Sequence, residues 1–122
     1  MQKRGFLLIL SGPSGAGKNT VLDATRELCP ELRYSVSATT RPRRPKEVEG
    51  VDYHFLTESD FQHRLGQGEF LEWAEYCDHL YGTPMQYVHE CLDRGEVVVM
   101  DIDIAGARQV QDKMPEAIFV FL

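Results

Sequence analysis

The chain has 122 residues and a mass of 13.9 kDa, the size of one domain with enough length to bury a hydrophobic core. With 43% hydrophobic and 26% charged residues it reads neither as a disordered tail nor as a low-complexity repeat. Nineteen acidic against thirteen basic residues, a net charge of −6, argue against wholesale binding to nucleic acid or an anionic membrane.

In chain order, residues 6–10, Phe-Leu-Leu-Ile-Leu, form a continuous apolar run that stops at a glycine-rich stretch, the pattern of a strand buried on both faces of a parallel sheet. The run is too short for a signal peptide or a membrane span, and Cys29, Cys77 and Cys91 show no CxxC spacing, so the expected compartment is the cytoplasm. A helix is predicted over 21–28, closed by Pro30, then a short strand over 34–37. Residues 39–52 are polar, carry Pro42 and Pro45, and read as an extended loop. A short strand is expected over 53–56 and a helix over 59–65 stopped by Gly66, while 70–76 has no clear period. Tyr81-Gly82-Thr83-Pro84 has turn chemistry and precedes a helix over 85–92 that Gly95 breaks. Residues 97–100, Val-Val-Val-Met, repeat the buried-strand pattern and end at Asp101. A helix over 105–114 stops at Pro115, and 118–122 is a third buried-strand pattern. A final strand with no helix to cover it suggests an incomplete domain. The fold class expected is α/β, a parallel sheet flanked by helices.

Gly12-Pro13-Ser14-Gly15-Ala16-Gly17-Lys18-Asn19-Thr20 sits between the first strand and its helix, where a P-loop belongs. Glycines there let successive backbone N–H groups turn inward around an anion, the helix N-terminus adds partial positive charge, and Lys18 reaches the outer phosphates. Asn19 stands where the strict pattern has a serine or threonine hydroxyl for Mg²⁺; its amide oxygen and the hydroxyl of Thr20 are the donors on offer. Asp101, at the end of the second apolar run, fits the partner carboxylate, with Asp103 near the same mouth; turn or capping roles are the alternative for both.

Residues 41–46 concentrate four basic side chains with no acidic one, leaving nine basic and nineteen acidic residues elsewhere. Arginine forks suit phosphate oxygens, although such a run taken alone also suits a solvated basic loop or a nucleic-acid patch. Cys77 and His79 lack a second ligand pair for a metal site, and His54, His63, His79 and His89 read as structural or surface groups. Trp73 reads as pocket wall or core.

Ser-Gly-Pro-Ser-Gly-Ala-Gly-Lys at 11–18, Ser-Val-Ser-Ala-Thr-Thr-Arg at 35–41, Gly-Val-Asp-Tyr at 50–53, Glu-Phe-Leu-Glu-Trp-Ala at 69–74, Tyr-Gly-Thr at 81–83 and Asp-Ile-Asp at 101–103 occur in one order and spacing. In these motifs the chain resembles guanylate kinase, over essentially its whole length but only the N-terminal part of that family's domain. The family's later lid arginines, adenine-contacting segment and closing strand and helices are missing from it.

The resemblance implies transfer of the γ-phosphoryl group of ATP to GMP, with Mg²⁺, and with neither nucleic acid nor membrane as partner. It implies a P-loop core over 1–36 and 88–122, and an inserted α+β GMP-binding region over 37–87 that closes over its ligand. The catalytic groups implied are Lys18, Arg41 and Arg44. Arg41, Arg44, Tyr53 and Tyr81 would hold the GMP phosphate, and Glu72 and Thr83 would read guanine with Ser37 nearby. Glu47, Asp101 and Asp103 would join the nucleotide site, and Asn19 and Asp101 the metal. A carboxylate can accept from guanine N1–H and its exocyclic amine, a donor pair adenine lacks, and an unpaired buried group discriminates on the order of 10⁴ or more. The competing reading is a non-catalytic guanylate-kinase-like interaction module, which the intact glycine loop with Lys18 disfavours.

Overall fold

Apolar runs with no polar interruption become parallel strands, and the segments between them become the helices that cover the sheet. The computed structural model describes residues 4–12 and 18–122, without the side chains of Lys18 and Asn19. Its elements are β1 (Leu7–Ser11), α1 (Lys18–Leu28), β2 (Arg33–Tyr34), β3 (Ala38–Thr39), β4 (His54–Phe55), α2 (Glu58–Gly66), β5 (Phe70–Tyr76), β6 (His79–Pro84), α3 (Met85–Asp93), β7 (Val98–Asp101), α4 (Ile104–Lys113) and β8 (Ile118–Phe121). They fall into two units, residues 1–34 with 87–122, and residues 35–86.

The first unit is built on a parallel sheet in the order β2-β7-β1-β8. Leu8, Leu10 and Val99 lie on one face and pack with Leu22 of α1, Leu32 and Tyr34. Leu7, Ile9, Val98 and Met100 are buried on the other. Helix α4 is capped by Asp103, whose Oδ1 accepts the Gly106 N–H at 2.7 Å. No helix among the described residues is long and apolar enough to cross a membrane.

The second unit holds a mixed sheet in the order β4-β3-β6-β5, with β3 parallel to β4 and antiparallel to β6, and β6 antiparallel to β5. Helix α2, capped by the Thr57 hydroxyl on the Asp60 N–H at 3.1 Å, places Phe61 against Phe70, ring on ring at 4.4 Å, over Ala38 and Leu80.

Four expectations change. Tyr81-Gly82-Thr83-Pro84 is strand β6, not a turn. Gly82 is there for space: a Cβ would meet Phe70 Cδ1 at 2.9 Å, Phe61 Cζ at 3.1 Å and the Glu72 carbonyl at 3.2 Å. The turn lies at Cys77 and Asp78, two successive left-handed residues with φ of 50° and 66° joining Tyr76 to its partner His79. Of the strand expected over 34–37 only Tyr34 is in one, at the end of β2; residues 35–37 belong to no strand, and β3 begins at Ala38 in the other unit. Strand β8 is not buried: it is an end strand of the sheet, with Ile118 47% and Phe121 62% exposed. The loop over 39–52 is not extended: Thr39 lies in β3, and the segment after it turns at 44–47 and 48–53, each closed by main-chain hydrogen bonds.

Gly82→Ala is expected to lower stability by about 1–3 kcal/mol through overpacking, read as a lower urea midpoint. Asp78→Gly is expected to raise it by about 1 kcal/mol, because glycine adopts the left-handed turn position without the Cβ penalty.

Candidate nucleotide-binding site

Alternation along β6 gives the 35–86 sheet two unlike faces. Leu80 and Gly82 turn to the α2 core. Tyr81 and Thr83 therefore turn to the opposite face, where Thr83 pairs with Glu72 across the ladder and Tyr81 with Ala74. The Thr83 hydroxyl donates to Glu72 Oε1 at 2.6 Å, and both residues are buried, Glu72 8% and Thr83 1% exposed. A carboxylate withdrawn from water this far is held by hydrogen-bond donors, of which the Thr83 hydroxyl is one.

The same face carries an arginine fixed by one acidic residue. Arg41 Nη1 donates to Glu47 Oε1 at 2.9 Å and Nη2 to Oε2 at 2.7 Å, while Nη1 also reaches the Pro42 carbonyl at 3.1 Å. The guanidinium lies over the Tyr53 ring, 5.3 Å from its centroid, and Tyr53 meets Tyr81 edge-on at 6.0 Å. Glu47 Oε1 also accepts the Arg44 backbone N–H at 2.8 Å, and the Glu47 carbonyl accepts from Arg43 Nη1 at 2.8 Å. These bonds, from Arg41 first and then Arg44, pull the Glu47 carboxyl from the usual 4.5 down to about 2, and Glu47 in turn raises the Arg41 guanidinium, with a further contribution from the Tyr81 hydroxyl.

The loop is tied at its base. The Thr39 hydroxyl donates to the Leu80 carbonyl at 2.9 Å and accepts the Arg41 N–H at 3.1 Å, and the Thr40 hydroxyl accepts the Leu80 N–H at 2.9 Å. Asp52 Oδ2 accepts the Val48 N–H at 2.7 Å, and Glu49 Oε1 accepts the Phe55 N–H at 2.8 Å. Gly50, at φ +80°, makes the turn between them.

In the other unit, β7, β1 and β8 run side by side to one end. Leu10 is in register with Asp101 and Ser11 with Phe121, and the Leu122 N–H donates to the Ser11 carbonyl at 2.9 Å. Gly12 leaves the sheet there, and a Cβ on it would stand 3.1 Å from the Leu122 carbonyl oxygen. Asp101 is exposed at the end of β7, and Thr20 is exposed in the first turn of α1. Pro13, Ser14, Gly15, Ala16 and Gly17, and the side chains of Lys18 and Asn19, lie outside the described residues.

The family model described as guanylate kinase matches residues 4–122. The chain belongs to the guanylate kinase family. It is 50% identical over 120 residues to the guanylate kinase of Rubrobacter xylanophilus, covering 98% of this chain and 63% of that protein. Against the guanylate kinase of Lactococcus lactis subsp. lactis it is 48% identical over 122 residues, covering 100% of this chain and 60% of the other. The crystal structure of guanylate kinase from Anaplasma phagocytophilum superposes with a TM-score of 0.77 at 32% identity, covering 99% of this chain and 61% of that one. The chain thus spans about three-fifths of the length of these relatives.

Within this member of the family, Arg41, Glu47, Tyr53 and Tyr81 come together as one cluster, and Glu72 and Thr83 as a hydrogen-bonded pair. Arg44 joins the cluster through its backbone, with its side chain exposed. Ser37 leads into β3 and is held through its carbonyl, which accepts the His54 N–H at 2.9 Å. Asp103 is placed by its capping bond to α4. Thr39, Thr40, Glu49 and Asp52, which shape the loop, carry no role in the sequence reading; Thr39, Thr40 and Asp52 stand within its motifs at 35–41 and 50–53, and Glu49 beside Gly50.

Because the fold lowers the Glu47 value, its contribution to stability is complete above about pH 4.5 and is lost as pH falls through about 2. Urea unfolding of wild type and Glu47→Gln between pH 7 and 2.5 should show the wild-type advantage shrinking only in the acid part of that range. A constant difference would contradict the assignment.

Proposed function

We propose that this chain is the nucleotide-binding part of an enzyme that moves the γ-phosphoryl group of ATP to GMP, giving ADP and GDP. One observation carries the reading: a buried carboxylate, Glu72, bonded to Thr83, shares a sheet face with Tyr81 and, through it, with Tyr53 and Arg41. A base reader and a phosphate reader on one face suit a nucleoside monophosphate. Glu72 accepts from guanine N1–H and the exocyclic amine, with Thr83 and Ser37 beside the base; adenine offers no such donor pair. Arg41, Arg44, Tyr53 and Tyr81 take the phosphate oxygens.

ATP occupies the other unit, its phosphates at the loop that leaves β1 through Gly12 and at the N-terminus of α1, with Lys18 on the outer phosphates. The crowding of Gly12 against Leu122 suits a loop that needs backbone without side chain. Asn19 and Asp101 would hold Mg²⁺. An amide and a carboxylate oxygen are hard donors, Asp101 is exposed beside Leu10 where the loop begins, and this metal needs few protein ligands when phosphates complete its shell. Bound there, it would screen the charge that develops on the transferred group. The chain's own work is positioning: the attacking GMP oxygen is already anionic and needs no general base, so alignment and charge neutralisation by Lys18, Arg41 and Arg44 supply the rate. Such an enzyme works on the nucleotide pool of the cytoplasm.

Calorimetry of the 122-residue chain with GMP and with AMP tests the reading. GMP should bind more tightly, and Glu72→Gln should weaken GMP by about 10- to 100-fold while leaving AMP almost unmoved. Equal binding of the two nucleotides by the wild-type chain would overturn the assignment of Glu72.

A further inference from the structure

The Arg41 guanidinium has two edges able to grip an oxyanion in bidentate fashion, Nη1/Nη2 and Nε/Nη2. Glu47 occupies the first completely, at 2.9 and 2.7 Å. The second meets no carboxylate among the described residues; besides Glu47 and the Pro42 carbonyl, the guanidinium's partner is the Tyr81 hydroxyl, itself a group able to share a phosphate. A phosphate competing for the Nη1/Nη2 edge would have to expel Glu47, which would also release the Arg44 N–H held at 2.8 Å and the turn closed by the Glu47 N–H on the Arg44 carbonyl at 3.0 Å. A phosphate taking the Nε/Nη2 edge disturbs none of this.

Glu47 is tied to all three arginines of the basic run. Its carboxylate takes the Arg41 side chain and the Arg44 backbone, and its carbonyl takes the Arg43 side chain at 2.8 Å. One acidic residue among four basic ones thus fixes where the cations stand, while Arg44 keeps its own guanidinium exposed. The Tyr53 ring beneath Arg41 holds the plane of the fork.

We propose that Glu47 is a positioning residue rather than a ligand contact: it stays on the Nη1/Nη2 edge of Arg41 and presents the Nε/Nη2 edge, already oriented, to a phosphate monoester. The inference rests on the reading of this face as a nucleoside monophosphate site. Its effect is preorganisation, because an arginine ordered before binding loses less rotamer freedom when the phosphate arrives.

The test uses the 122-residue chain, with GMP and guanosine as probes in calorimetry, and with the Arg41 Nε–H resonance observed without ligand. Glu47→Gln should weaken GMP about tenfold, leave guanosine binding unchanged, and broaden the Nε–H signal as the guanidinium gains freedom. In an Arg41→Ala background, Glu47→Gln should cost much less than in the wild-type chain, since the carboxylate acts mainly through that arginine. Equal losses for GMP and guanosine would mean a merely structural role and would overturn the inference, as would an unchanged GMP affinity. A wild-type chain that binds GMP no better than guanosine would remove the phosphate site itself and both readings with it. Normal GMP binding with an unmoved Glu47→Gln variant would remove the role of Glu47 alone.

Discussion

Strand β6 serves two masters through the two-residue period of a strand. Leu80 and Gly82 belong to the core under α2, and Tyr81 and Thr83 belong to the face where the polar groups gather. Gly82 makes this possible, because the stacked Phe61 and Phe70 rings fill the space any larger residue would need. A slip of β5 by one residue against β6 would turn Glu72 toward the core, away from Thr83, and bring Trp73 to the polar face. The core and the site are therefore set by the same register.

The two regions proposed to take anions would do so by different physics, and neither shows in the net charge of −6. One would depend on main-chain groups between β1 and α1, where charge comes from peptide dipoles. The other depends on arginines whose repulsion is relieved by Glu47, and whose loop is closed by Asp52 and Glu49 on backbone N–H groups. Acidic residues there build the basic site: without partners, four cations in six residues would splay apart. Phosphoryl transfer asks mainly for this kind of fixed charge.

How much could be read in advance follows from where the signals lie. Strands β1 and β7 are buried on both faces and announce themselves as unbroken apolar runs, and the helices carry ordinary stop signals such as Pro30, Gly95 and Pro115. The β5–β6 hairpin gave no such signal. Its turn uses Cys77 and Asp78 with no glycine, a register shift between Phe70 and Glu72 breaks the alternation, and Gly82 and Pro84 imitate a turn inside a strand. Strand β8 is apolar yet exposed, because composition says what a face prefers to meet and not whether anything meets it. The site residues were named from motifs, but their arrangement was not visible. Glu72 meets Thr83 only through the ladder, and Glu47 reaches Arg41 across a loop whose turns have no periodicity.

The most direct measurement is a crystal structure of this chain with GMP bound. The expected result is guanine N1 and its exocyclic nitrogen within about 2.7–2.9 Å of the Glu72 carboxylate. The phosphate should lie on the Nε/Nη2 edge of Arg41, with the Arg41–Glu47 pair unbroken. A base seated away from Glu72, or a phosphate that has displaced Glu47 from Arg41, would contradict it.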